Sequence, residues 1–254
     1  MRLIVMGLLL GGAMVAAPAG AILIRADRDD AEYLEMAARY ASSVAIDIPG
    51  GGEGVLIAPR WVLTSAHRAH AIEEMKSRPK LRIGNRHYDI QSVFILPQWV
   101  RGGPNDIALL LLARIVSGVE PTPLYRDTDE IDKGVVIVGH GASGKAGAAQ
   151  LARDGRARAA INTVNRVEPR RIGLRLKAGD DASDLQGAIA PEETGGPAYV
   201  ETKDGLFVAG IAIGAEGEWQ NYARVSFYLP WIEGVMLDAA KEELKSNLDG
   251  SGRS

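Results

Sequence analysis

From residue 43 onward the apolar positions come in short runs divided by Gly, Pro, Asn and Asp. Ser43-Val44-Ala45-Ile46-Asp47-Ile48 alternates toward a strand, Pro49-Gly50-Gly51-Gly52 makes a turn, and Gly54-Val55-Leu56-Ile57 reads as the returning strand. Similar runs predict strands at 61–64, 80–83, 88–96 and 107–112, then at 134–139, 156–167, 172–176, 198–201, 206–213 and 222–227. No regular helices intervene, so antiparallel barrels or sandwiches are favoured over a parallel sheet. Helical spacing is confined to two places. A short helix with an acidic first turn is expected over 30–37, and a C-terminal helix over 230–248, where Ile232, Val235, Met236, Ala239 and Ala240 share a face and Pro230 suits the first turn. Residues 249–254 read as a flexible tail. The zone 117–132, with Pro121, Pro123 and five acidic residues, reads as a solvated connection between two lobes.

The first 21 residues break this pattern. Arg2 precedes an apolar stretch that ends in Ala19-Gly20-Ala21, the layout of a secretory signal peptide with a small-residue cleavage site. The stretch is interrupted by Gly11-Gly12 and Pro18 and is too short for a membrane span, so no stable anchor is expected after cleavage. The chain has no cysteine, which suits a bacterial periplasm or the external medium better than a disulfide-rich secretion. A net charge of −3 on 254 residues offers no basic excess for a phosphate backbone, so nucleic acid is not an expected partner.

Three segments carry candidate chemistry. His67 ends Trp61-Val62-Leu63-Thr64-Ser65-Ala66-His67, where a strand hands over to small residues and fixes an imidazole suited to general-base work; a lone histidine of this kind is otherwise an ordinary cap or surface residue. Asp106 stands before the six apolar residues Ile107 to Leu112, at the rim of a buried element, where it either orients an imidazole or caps the preceding turn. Thr194 lies in Glu192-Glu193-Thr194-Gly195-Gly196-Pro197. His70, His87 and His140 are weaker candidates.

Together these segments resemble the trypsin/chymotrypsin family of serine proteases, with His, Asp and hydroxyl in that chain order. The resemblance spans about 22–235. It implies an all-β fold of two antiparallel, chymotrypsin-like barrels, the first about 22–120 and the second about 133–229, with a C-terminal helix. It further implies peptide-bond hydrolysis of a peptide or protein substrate without metal or cofactor, through His67 as base, Asp106 as its orienter and Thr194 as nucleophile. The sequence departs from the family's Gly-Asp-Ser-Gly-Gly-Pro at three positions. Thr194 adds a methyl that restricts χ1. Glu192 replaces a glycine whose N–H, with that of Thr194, would form the oxyanion hole, and a side chain there penalises a positive φ. Glu193 keeps the charge of an aspartate that pairs with a new N-terminal ammonium in the family; cleavage after Ala21 would supply one at Ile22. Arg68 stands where many relatives carry cysteine. Ala188, Ile213, Gly214, Ala215 and Gln220 fall at specificity-pocket positions and imply a pocket for small or apolar side chains. The alternative is a catalytically inactive homologue that binds peptides or a protein partner in the cleft.

One competing motif fails on its own chemistry. Residues 139–146 nearly satisfy a phosphate-binding loop, but Ala146 lacks the hydroxyl that would hold Mg²⁺.

Overall fold

The computed structural model describes residues 22–141, 144–145, 154–176, 183–189 and 191–251. The proposed signal segment and the last residues of the tail lie outside them. The elements in order are β1 (Leu23–Ile24), α1 (Asp30–Ala37), β2 (Ser43–Ile46), β3 (Glu53–Ala58), β4 (Trp61–Thr64), α2 (Ala66–Glu73), β5 (Lys80–Ile83), β6 (Arg86–Ile95) and β7 (Ala108–Leu112). The second half holds β8 (Gly134–Gly139), β9 (Gly144–Lys145), β10 (Arg158–Val167), β11 (Arg171–Arg175), β12 (Gly187–Ala188), a 3₁₀ turn (Pro191–Glu193), β13 (Pro197–Thr202), β14 (Gly205–Glu216), β15 (Trp219–Arg224) and α3 (Val225–Ser251).

Strands β2-β3-β4-β7-β6-β5 close one antiparallel barrel and β10-β11-β15-β14-β13-β8 close another. The strand pattern left barrels or sandwiches open; the all-β, two-barrel fold with a C-terminal helix is the one that the family resemblance implied. The alternation along β4 and β7 shows how the barrels share residues. Val62, Ala108, Leu110 and Leu112 point into the first barrel with Val44, Leu56 and Tyr88. Leu63 and Leu109 point the other way, into a cluster with Tyr199, Val208, Ile211, Tyr228 and Ile232 from the second barrel and α3. Burial on both faces is why residues 107–112 read as an unbroken apolar run.

The connection at 117–132 is less solvated than its composition suggested. The Thr122 N–H donates to the Leu56 carbonyl at 2.9 Å, and the Tyr125 N–H to that of Val208 at 2.9 Å, so the segment is stitched to both barrels. Glu130 is buried because Arg224 donates to it at 2.7 and 2.9 Å and Ser226 at 2.6 Å. Two helices also depart from expectation. α2 follows directly on β4, a short element whose Ala66, Ala69 and Ile72 face the first barrel. α3 starts at Val225 and runs through Ser251, so Pro230 lies one turn inside it and the helix includes residues 249–251. Among the described residues no helix is long and apolar enough to cross a membrane.

Candidate active site

The hand-over from β4 to α2 places His67 in the first turn of the helix, rooted in the first barrel. Asp106 sits just ahead of β7, the neighbour of β4 in the same sheet. Its carboxylate takes two bonds from one residue: the His67 N–H donates to Oδ1 at 2.8 Å, and His67 Nδ1 lies 2.6 Å from Oδ2. Pairing backbone and ring together fixes the imidazole plane and places the proton on Nδ1. The two residues just before Asp106 are held from α3, because the buried Tyr228 hydroxyl contacts the Pro104 carbonyl at 2.9 Å and Asn105 Oδ1 at 3.1 Å. Burial, more than its charged neighbours, pushes the Tyr228 hydroxyl up to about 12.

The third group arrives from the second barrel. Thr194 is 4% exposed, and its Oγ1 lies 2.8 Å from His67 Nε2. The loop that carries it is clamped on both sides: the Glu53 N–H donates to the Thr194 carbonyl at 3.1 Å, and the Gly195 N–H donates to the Ala212 carbonyl at 2.7 Å. Three side chains separated by up to 127 residues thus form one continuous chain of contacts, carboxylate to imidazole to hydroxyl.

That chain of contacts is the arrangement the sequence motifs pointed to, and a sequence model of the family described as Trypsin matches residues 35–232. The chain belongs to the trypsin family. Among solved structures it is similar to one described as the atomic-resolution structure of HBP, with 21% identity and a TM-score of 0.62, covering 79% of this chain and 93% of that one. At that identity the likeness speaks for the fold alone.

Other features of this trypsin-family chain differ from the expectations drawn from its motifs. Glu192 does not sit at a positive φ; among the described non-glycine residues only Asp132 does. Residues 191–193 instead form the 3₁₀ turn, which spares the side chain that strain. A 3₁₀ turn pairs the amide that closes it with a carbonyl three residues back, so the N–H at the end of residues 191–193 is drawn toward the turn's own backbone. The Glu192 carbonyl faces Gly51, where a Cβ would come within 2.9 Å of it.

The expected pocket residues separate into two groups. Ile213, Gly214 and Ala215 line a cleft of about 360 Å³ that also includes Asp106, Arg171 and Glu216. Ala188 and Gln220 are not among its walls. Ala188 pairs with Leu23 of β1, and the Gln220 side-chain carbonyl accepts the Ile189 N–H at 2.8 Å, bracing the backbone. Ile22 is fully buried, and Glu193 is buried against Gly139, where a Cβ would fall 1.9 Å from Glu193 Oε1.

Two pairs escaped sequence reasoning. His140 repeats the geometry of His67: Glu53 Oε1 accepts its backbone N–H at 2.7 Å and Oε2 lies 2.8 Å from Nδ1. The trace of this in the sequence is a glutamate opening the buried run of β3. Arg68 Nε donates to Thr194 Oγ1 at 2.7 Å, a contact that nothing local in the sequence announces. His70 lies outside the site, 3.4 Å from Glu74 and against the Trp99 ring.

Proposed function

We propose that this chain is an exported peptide-bond hydrolase in which Thr194 is the nucleophile, His67 the general base and Asp106 its orienter. The observation that carries the reading is the unbroken contact chain, 2.6 Å from Asp106 to His67 and 2.8 Å from His67 to Thr194. With Nδ1–H committed to Asp106, Nε2 presents its lone pair to the Thr194 hydroxyl and can take its proton as Oγ1 attacks a carbonyl. The cleft beside Ile213, Gly214 and Ala215 offers the place for the substrate's peptide backbone. Charge on the substrate oxygen requires two aimed donors, and a 3₁₀ turn draws its closing amide toward its own backbone, so on this reading binding reshapes residues 191–193 before acyl transfer. Export rests on the leader-like first 21 residues.

The same turn favours a second reading, in which the cleft binds peptides without cleaving them. An active-hydroxyl phosphonate probe and a mixed peptide library separate the two. Thr194→Ala is expected to lower labelling and turnover by about 10⁴-fold or more. Thr194→Ser should raise both by about 10- to 100-fold, because it removes the methyl that restricts the hydroxyl's placement. Equal, background-level signals from wild type and Thr194→Ala would establish the binding role instead.

A further inference from the structure

Arg68 follows His67 in α2 and is not used in the mechanism above. Its Nε–H donates to Thr194 Oγ1 at 2.7 Å. A guanidinium offers donors only, so Oγ1 is the acceptor in this contact. The hydroxyl proton is then directed to His67 Nε2, one lone pair is engaged by Arg68, and a second lone pair remains for attack. Holding the cation here has a cost: burial pushes the Arg68 guanidinium below its ordinary range. Neighbouring carboxylates oppose that shift, Glu192 foremost, then Asp106 and Glu53. Glu192, read from the sequence as a lost glycine, is in the structure a counter-charge to Arg68.

We propose that Arg68 is a catalytic residue of this site, stabilising negative charge on Thr194 Oγ1 both when it attacks and when it departs; this rests on Thr194 being the nucleophile. In the first step the Oγ1–carbon bond forms, the hydroxyl proton passes to His67 Nε2, and the carbonyl π pair moves onto its oxygen. Collapse breaks the C–N bond, and the amine leaves with the proton from Nε2. Water then gives a proton to Nε2 as its oxygen bonds the acyl carbon. On the second collapse the Oγ1–carbon bond breaks and Oγ1 recovers that proton. Arg68 stays protonated throughout and acts at the two moments when charge gathers on Oγ1. A fixed cation there costs no reorganisation during the reaction.

The test compares mature wild type, Arg68→Gln, Arg68→Lys and Thr194→Ala for their rate of labelling by the phosphonate probe, with and without millimolar methylguanidinium. Arg68→Gln is expected to slow labelling by about 10²-fold, as loss of one aimed donor does. Arg68→Lys should be intermediate, since a point cation keeps the charge without the planar donor geometry. Methylguanidinium should restore part of the rate to Arg68→Gln and none to Thr194→Ala. Unchanged or faster labelling of Arg68→Gln beside a labelled wild type would overturn the role of Arg68 and leave Thr194 as the nucleophile. A slowed Arg68→Gln that Arg68→Lys matches and methylguanidinium cannot rescue would overturn it as well, exposing a packing role. Absence of label on wild type would remove the Thr194 reading and, with it, that of Arg68.

Discussion

At the scale of single residues, the position after the nucleophile tolerates no side chain. Gly195 has φ +95°, and a Cβ there would stand 2.1 Å from the Glu53 carbonyl oxygen and 2.5 Å from Thr64 Oγ1. Neither atom can retreat cheaply, because the Thr64 hydroxyl donates to that same carbonyl at 2.6 Å. Gly195→Ala should therefore combine left-handed strain with overpacking and lower stability by about 3 kcal/mol. Thr194 would be displaced with it, and labelling should fall by about a hundredfold. Urea denaturation beside the labelling assay checks both, and a variant indistinguishable from wild type would show that the clamp on this loop is slack. The residues legible in the sequence were those whose neighbours announce them: His67 behind β4, Asp106 before β7, Gly195 and Gly196 behind Thr194. Arg68 with Thr194, and Glu53 with His140, join positions 126 and 87 residues apart. No periodicity links such pairs, and only closure of the barrels brings them together.

At the scale of elements, α1 shows how a short helix is made to stay. Asp29 caps it, accepting the Ala31 N–H at 3.0 Å, while Glu32 accepts the Asp29 N–H at 3.2 Å. Its Asp30 then binds Arg158 of β10 through both carboxylate oxygens, at 2.6 and 2.7 Å, and Asp154 completes the pairing at 2.9 Å. The Arg158 side chain is 3% exposed, but Asp30 and Asp154 are 40% and 33% exposed and can rehydrate. Arg158→Met is thus expected to cost about 1–2 kcal/mol, less than breaking a fully enclosed pair. The hydrogen bond from Arg158 is the main reason that the Asp154 carboxyl falls from its ordinary 3.8 to about 2. A depressed folded-state value stabilises above 3.8, and that contribution is lost as pH falls through about 2. Melting temperatures between pH 5 and 2 should drop more steeply for wild type than for Arg158→Met, and parallel curves would mean that the pair contributes nothing in solution. Strand texture made most elements visible in advance, since turn residues bracket each run. The helix α2 and the start of α3 at Val225 were not visible. Both follow strands with no more than one residue between, Ser65 before α2 and none before α3, so no turn residues announce them and the packing of Ala66, Ala69 and Ile72, or of Tyr228 and Ile232, marks the change.

At the scale of the whole molecule, the start of the described chain is joined to the site. Ile22 is fully buried, and β1 runs antiparallel to β12, with Leu23 opposite Ala188 and Ile24 opposite Gly187, and parallel to β9. β12 leads within a few residues to the 3₁₀ turn and Thr194, so a strap at the N-terminus bears on the segment whose amides would need to turn outward. An ammonium created at Ile22 by cleavage after Ala21 would bring a positive charge into the same barrel as the buried Glu193. A carboxylate with no water around it gains far more from such a partner than an exposed one does. The leader would then serve as its own activation peptide. Protein processed as proposed should begin at Ile22 by N-terminal sequencing. A form beginning with Met-Ala before Ile22 should melt within a few degrees of it but label at least tenfold more slowly with the phosphonate probe. Equal labelling of the two forms would separate the strap from the site, as would full reactivity in a chain starting beyond Ile24. If the extended form is the slower one, a peptide ligand that rescues its labelling rate would place the deficit in the order of residues 191–193 and not in Thr194 itself.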